Sequence, residues 1–174
     1  MLLALVNSLL DLQQIKANKF KLQLSAVNIF DLLEEVKALF EYQCSKKNIQ
    51  LDLNIDPDIP IMVVNDKNRL IQILINLVGN AEKFTTKGSI TIGAERYEPD
   101  KIKLFVQDTG TGIKQEDKKR LFSVFGKLEE TESINKQGIG LGLTICKHIL
   151  EQIHPHNKID VDSTYGKGTT FSFQ

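Results

Sequence analysis

Five polar residues, Arg69, Gln72, Asn76, Asn80 and Lys83, recur at intervals of three, four, four and three. That spacing lays them along one face of a helix. The remaining surface of the same helix is almost wholly apolar: Leu70, Ile71, Ile73, Leu74, Ile75, Leu77 and Val78. A helix buried on most sides needs a solvated stripe, and that is the simplest reading. Solvated stripes favour Lys, Glu and Arg, however, whereas Asn is a poor helix former and stands here twice in mid-helix. Asn76 and Asn80 offer neutral oxygen ligands to a hard cation, and Lys83, one turn on, offers a point charge to a phosphate. Mg²⁺ takes few protein ligands and completes its shell with phosphate oxygens and water.

Three glycine clusters follow. Asp108 to Ile113 reads D-T-G-T-G-I, directly after the alternating apolar residues Ile102, Leu104 and Val106. A carboxylate at a strand end accepts hydrogen bonds and does not donate them, so it suits an amino edge, and glycines let the backbone approach closely. Asp-Thr-Gly is also an ordinary turn sequence. Gly138 to Leu143 reads G-I-G-L-G-L, where a polar stretch enters a helix. Backbone amides at a helix start can hold phosphate, or the cluster can be a glycine hinge. A dinucleotide fingerprint would need a preceding strand and a different glycine spacing. Gly166 to Phe171, G-K-G-T-T-F, reads by itself as a hairpin turn opening a last strand.

Other candidates carry less. Cys44 and Cys146 fall on separate helices with no metal-type spacing, which reads as two reduced thiols in a cytosol-like compartment. His148 sits on the glycine-headed helix and reads as structural or exposed, and His154 and His156 flank Pro155 in a connecting turn. The Leu-rich start, Leu2 to Leu10, lacks a basic flank and a small-residue cleavage site. It also falls short of the roughly 20 apolar residues that span a bilayer. Basic and acidic residues balance at 22 each in 174 residues, so charge predicts no nucleic-acid partner. A 41% hydrophobic fraction is that of a soluble domain with a real core.

These residues need elements to position them. Leu2, Leu5, Leu9 and Leu12, widened by Val6 and Leu10, form the seam of a helix that packs on other helices and fades near Asn18. A second helix is expected from about Ile29 to Ser45, with Asn28 as its N-cap. Ile49, Leu51, Leu53 and Ile55 alternate as a half-buried strand closed by Pro57 and Pro60. The striped helix runs from about Asp66 to Phe84. Strands are expected at 89–97 and 101–106 with a turn at Pro99-Asp100, a short helix at 116–121, and a mobile polar loop at 126–137. A fourth helix at 141–153 and strands at 158–162 and 169–173 complete an α+β layer, with helices covering one face of a mixed sheet.

The order of these features is itself informative. An Asn-bearing helix, a strand-end Asp-x-Gly-x-Gly, a paired-Phe segment (Phe122, Phe125), a polar lid, a Gly-x-Gly-x-Gly helix start and a Gly-x-Gly-Thr strand follow one another. In this the chain resembles the ATP-binding catalytic domain of sensor histidine kinases, within the ATPase superfamily shared with gyrase, Hsp90 and MutL. The N-box reads N-L-V-G-N-A-E-K-F-T, Asn76 to Thr85. The resemblance implies a two-layer α/β sandwich of the Bergerat type over residues 20–174. Residues 1–19 resemble the end of a dimerisation-bundle helix.

The resemblance also implies roles. Asn80 would coordinate Mg²⁺ with Asn76 close by, and Lys83 would contact the ATP phosphates. Phe84 would flank the nucleotide, Asp108 would accept from the adenine amino group, and Ile113 would line the adenine pocket. Gly110 and Gly112 would permit close approach. Gly138, Gly140 and Gly142 would shape the end of the lid around the phosphates, with Leu141 near the base. Thr170 would reach adenine through water, and Lys136 is a candidate for the γ-phosphate. Hydrolysing relatives carry a Glu four residues before the Mg²⁺-binding Asn. Asn76 stands at that position and cannot take a proton at neutral pH. Such a site would hydrolyse ATP slowly and hand the γ-phosphoryl to a histidine in an H-box that none of the three histidines here resembles.

The implied partners are a histidine-bearing dimerisation domain, a response-regulator receiver domain and a second copy of the parent protein, the domain itself being cytoplasmic. The competing readings are a non-catalytic ATP-binding scaffold and an ATP-hydrolysing switch of the Hsp90 or MutL kind. Two departures from the family pattern stand out. Val124 replaces a Pro often found between the paired aromatics, and Glu151 to Asn157 lacks the usual glycines.

Overall fold

The structure, a computed structural model, describes residues 10, 11, 13–15, 17, 19–99, 101–118, 121–122, 142–154 and 156–174. Its elements in order are β1 (Ser25–Asn28), α1 (Ile29–Lys46), β2 (Ile49–Ile55), β3 (Met62–Asn65), α2 (Lys67–Phe84), β4 (Gly88–Glu98) and β5 (Lys101–Asp108). The short α3 (Gln115–Lys118), α4 (Gly142–Ile153), β6 (Asp160–Thr164) and β7 (Gly168–Phe173) complete them. Residues 10, 11 and 13–15 are helical, ahead of β1.

Both long helices start where their caps dictate. Asn28 accepts from the Asp31 amide at 3.3 Å and opens α1. Asp66 accepts from the Arg69 amide at 3.1 Å and opens α2, satisfying donors that a first helical turn leaves open. Asn48, at φ 56°, takes the left-handed conformation that turns the chain from α1 into β2. Ile29, Leu32, Leu33 and Val36 of α1 are buried, as are Leu70, Ile73, Leu74, Leu77, Val78 and Ala81 of α2.

The main sheet has the order β2-β4-β5-β7-β6. β2 and β4 run parallel, and every other neighbour pair is antiparallel. Alternation sends one row of side chains toward the helices. In the middle of the sheet this row is Ile92, Val106, Phe171 and Val161, which sit opposite one another in turn. The next row down is Ile90, Asp108, Thr169 and Ser163. The architecture is the α+β arrangement expected, a mixed sheet with α1, α2 and α4 on its covered face.

Three features differ from the sequence reading. β1 and β3 form a separate two-stranded antiparallel sheet that periodicity does not reveal. Each is four residues long, and their pairing comes from the fold. β6 lies two residues later than expected, because its register with β7 pairs Asp160 with Ser172 and Thr164 with Gly168. The short α3 covers 115–118. The polar loop at 126–137, Phe125 and most of the leucine seam lie outside the described residues.

Candidate functional site

The polar stripe of α2 divides into two halves with different partners. At its head, Arg69 and Gln72 turn toward the N-terminal helical segment. Arg69 pairs with the buried Asp11 at 2.8 Å, Gln72 Nε2 donates to the other Asp11 oxygen at 2.8 Å, and Arg69 also donates to Gln72 Oε1 at 2.8 Å. At its tail, Asn76, Asn80, Lys83 and Phe84 are half-buried. Asn76 Nδ2 donates to the Gln72 carbonyl at 3.0 Å. Its Oδ1 faces the first residue of α4: a Cβ added to Gly142 would lie 2.8 Å from it. One turn further, Cys146 Sγ lies 3.9 Å from the Ile73 carbonyl, so α4 packs its start along this face of α2. The Lys83 ammonium lies 5.5 Å from the centre of the Phe84 ring.

Phe84 links the helix to the second constellation. Its carbonyl accepts from the Thr111 amide at 3.2 Å. A Cβ on Gly110 would come within 2.4 Å of that same oxygen, so only glycine lets the turn after β5 lie this close to the helix end. Asp108 ends β5 on the covered face of the sheet, buried, with Oδ1 accepting from the Gly110 amide at 2.8 Å. Burial pushes its carboxyl above the usual carboxylate range, opposed by the amides of Gly110 and Thr169 that favour the ionised form.

The β6–β7 hairpin latches the far side of this turn. The Ile113 amide donates to Ser163 Oγ at 2.8 Å, and the Gly166 amide donates to the Thr111 carbonyl at 2.8 Å. Ser163 Oγ also lies 3.0 Å from the Gly168 carbonyl and 3.0 Å from Thr169 Oγ1. Gly112 and Gly168 take positive φ, 66° and 123°. Gly168 lies so close to the end of β5 that a Cβ there would be 2.0 Å from the Asp108 carbonyl. Gly166 forms the hairpin turn expected of its cluster, with φ 82°.

The structure thus brings together Asn76, Asn80, Lys83 and Phe84 from α2, Asp108, Gly110, Gly112 and Ile113 from the turn after β5, and Gly142 from α4. Thr170 does not join them. It pairs with Gln107, whereas Thr169 pairs with Asp108, and successive strand residues point to opposite faces. The threonine beside Asp108 is therefore Thr169, buried with Ser163. Alternation with Phe171 and Phe173 in the sequence is the signal that marks it. Ser163 had no signal, because its role depends on the register of β6. Lys136, Gly138, Gly140 and Leu141 lie outside the described residues. A cavity of about 550 Å³, lined by Met62, Leu70, Lys101, Leu150, His154 and His156 among others, includes none of the residues gathered at Asp108.

Residues 65–174 match the histidine kinase-, DNA gyrase B- and HSP90-like ATPase family. The chain is 36% identical over 174 residues to the sensor histidine kinase GacS of Pseudomonas protegens, covering 98% of this chain and 19% of GacS. Among solved structures it is similar to full-length ShkA in complex with AMPPNP, with a TM-score of 0.86 and 30% identity over 99% of this chain and 35% of that one. The catalytic domain of the histidine kinase ThkA aligns with a TM-score of 0.73 and 35% identity, covering 87% of this chain and 94% of that domain. ThkA is also known in complex with the response regulator protein TrrA, at 31% identity over 97% of this chain and 47% of that one. The chain belongs to this ATPase family, as a catalytic domain of the histidine kinase kind. It spans about a fifth of the length of the sensor kinase it matches.

Proposed function

We propose that this domain binds ATP with Mg²⁺ between α2, α4 and the turn after β5, and transfers the γ-phosphoryl group to a histidine on a dimerisation domain. The observation that carries this reading is Asp108. It is a buried carboxylate at the end of an apolar sheet face, with one oxygen already held by the Gly110 amide. An ionised carboxylate in that position selects a ligand that presents an amino group, as adenine does. The donor set fits the metal: side-chain amide oxygens of Asn76 and Asn80 are the hard, neutral ligands Mg²⁺ accepts alongside phosphate and water.

ATP, when bound, supplies the phosphoryl group. The chain's own part is positioning and charge neutralisation. Asn80 and Asn76 hold the cation and Lys83 meets the phosphates. Phe84 and Ile113 flank the base. Lys136, Gly138, Gly140 and Gly142 are assigned to the phosphates and Leu141 to the base, while Thr170 is assigned to adenine through water, with Thr169 beside Asp108. Asn76, where a general base would stand in hydrolysing relatives, leaves water unactivated. His148 lies 3.2 Å from Glu151 on α4, and the acceptor histidine is assigned to a partner domain outside residues 20–174. Residues 1–19 are read as the end of that domain's helix. The parent is read as a homodimer that passes its phosphoryl group to a receiver domain, a reading supported by the ThkA–TrrA complex. Among the described residues no helix is long and apolar enough to cross a membrane, and the domain is assigned to the cytoplasm.

Calorimetric titration with a non-hydrolysable ATP analogue, with and without Mg²⁺, tests the site directly. Wild type is expected to bind with Mg²⁺-enhanced affinity and to ignore GTP, and Asp108→Asn is expected to lose binding. A folded wild-type chain that binds no nucleotide would refute the assignment.

A further inference from the structure

Asp108 and its neighbours occupy one end of β5. The other end lines the cavity of about 550 Å³, a volume within the roughly 300–1,000 Å³ of small-molecule sites. Ile29 of α1, Leu70 of α2, Leu104 of β5, Leu150 of α4 and Phe173 of β7 back it, all of them buried. Met62 and Val64 of β3 line it from the open side, at 52% and 74% exposure. Large apolar side chains left open beside a buried apolar floor favour an apolar ligand body.

The titratable lining is of one kind. Lys101, His154 and His156 stand at the cavity, and among its described lining residues there is no Asp or Glu. Lys101 is shared with Glu98 at 2.7 Å, so the two histidines, both exposed, carry the recognition. The His156 amide donates to His154 Nδ1 at 3.4 Å, and the neutral ring then carries its proton on Nε2, as a donor. The two ring centres lie 5.6 Å apart, close enough for both to reach one head group. A rim of donors takes an acceptor. One shared lysine and two imidazoles suit a single negative charge rather than the nearly doubled charge of a phosphate.

We propose that this cavity binds an amphiphilic carboxylic acid, with its chain against Leu104, Leu150 and Phe173 and its carboxylate on His154 and His156. None of the residues gathered at Asp108 lines it, so its occupancy does not depend on the nucleotide reading.

Methyl NMR spectra of the chain, titrated with octanoate, octanol and octylammonium, test the cavity and its choice of head group together. Octanoate is expected to shift the methyl signals of Met62, Leu104 and Leu150 with a Kd below about 1 mM, and to leave that of Leu51, on β2, in place. Octanol and octylammonium are expected to bind about tenfold more weakly or less. Because His154 is exposed, His154→Glu leaves the core alone. It is expected to weaken octanoate about tenfold and to leave octanol unchanged. Absence of shifts at these methyls with octanoate at about 10 mM would mean that the cavity holds no such ligand. Equal affinity for octanol and octanoate would reduce it to an apolar cleft without acid recognition, and unchanged octanoate affinity in His154→Glu would refute the head-group assignment. Each of these three results overturns the proposal.

Discussion

At the scale of single residues, Asp108 makes the sharpest prediction. Its folded-state carboxyl is raised above the unfolded value by burial. Between those two values the folded protein holds more protons than the unfolded chain, so stability falls as pH rises through that window. Asp108→Asn removes this dependence. Its melting temperature is expected to exceed that of wild type near neutral pH, with the gap closing as pH falls below the unfolded value of 3.8. Thermal scans of both proteins from pH 3 to 7.5 decide it. Gly168 and Gly166 give a second contrast within one hairpin. At Gly168 a side chain would meet the Asp108 carbonyl in a backbone conformation few residues adopt. Gly168→Ala is expected to destabilise by about 3 kcal/mol or more. Gly166 also has positive φ, but nothing lies within 4 Å of its missing Cβ, so Gly166→Ala is expected to lose about 1 kcal/mol. Urea denaturation of the pair measures both. The two buried thiols fit the same picture: burial raises the Cys44 thiol and pushes Cys146 up to about 12, so neither is a ready thiolate in the folded protein.

At the scale of elements, α2 joins the core, the cap and the site. Asp66 caps it through the Arg69 amide and also accepts from the Gln23 amide at 2.8 Å, so it ties the segment before β1 to the helix start. Asp66→Ala loses both bonds and is expected to reduce stability by about 2 kcal/mol, while Asp66→Asn is expected to lose less. Equilibrium unfolding in urea reads the difference. α2 was legible in the sequence because its apolar and polar residues repeat with the helical period, and α1 for the same reason. The Asp108 turn was legible from its glycines. β1 and β3 were not, since Ser25–Asn28 and Met62–Asn65 are too short to show a period and find each other only through the fold. Thr169 and Thr170 present a different case. The strand was recognised, and its register with β5 adds that Thr169 is the partner of Asp108. Nor could spacing separate the head of the α2 stripe from its tail. Arg69 and Gln72 differ from Asn80 and Lys83 only in which neighbour they meet, and Asp11 is brought to them by tertiary structure.

At the scale of the whole molecule, one sheet face serves two purposes. Its middle rows are aliphatic and aromatic and hold α1, α2 and α4, while its last row, Ile90, Asp108, Thr169 and Ser163, turns polar where the site begins. The same register that completes the core therefore aligns the site, and a slip of one residue would carry Asp108 to the opposite face. This has a consequence for synthesis. β7 follows the other described strands along the chain, yet it lies inside the sheet between β5 and β6 rather than at an edge. A nascent chain can fold α1, β2, α2, β4 and β5 against one another beforehand, but Asp108 then ends an open-edged strand whose neighbour has not yet been made. Thr169 and the Gly168 contact arrive only with the final segment, so a partly translated domain holds no formed pocket. The row that ends in Asp108 is therefore complete only once β7 is in place.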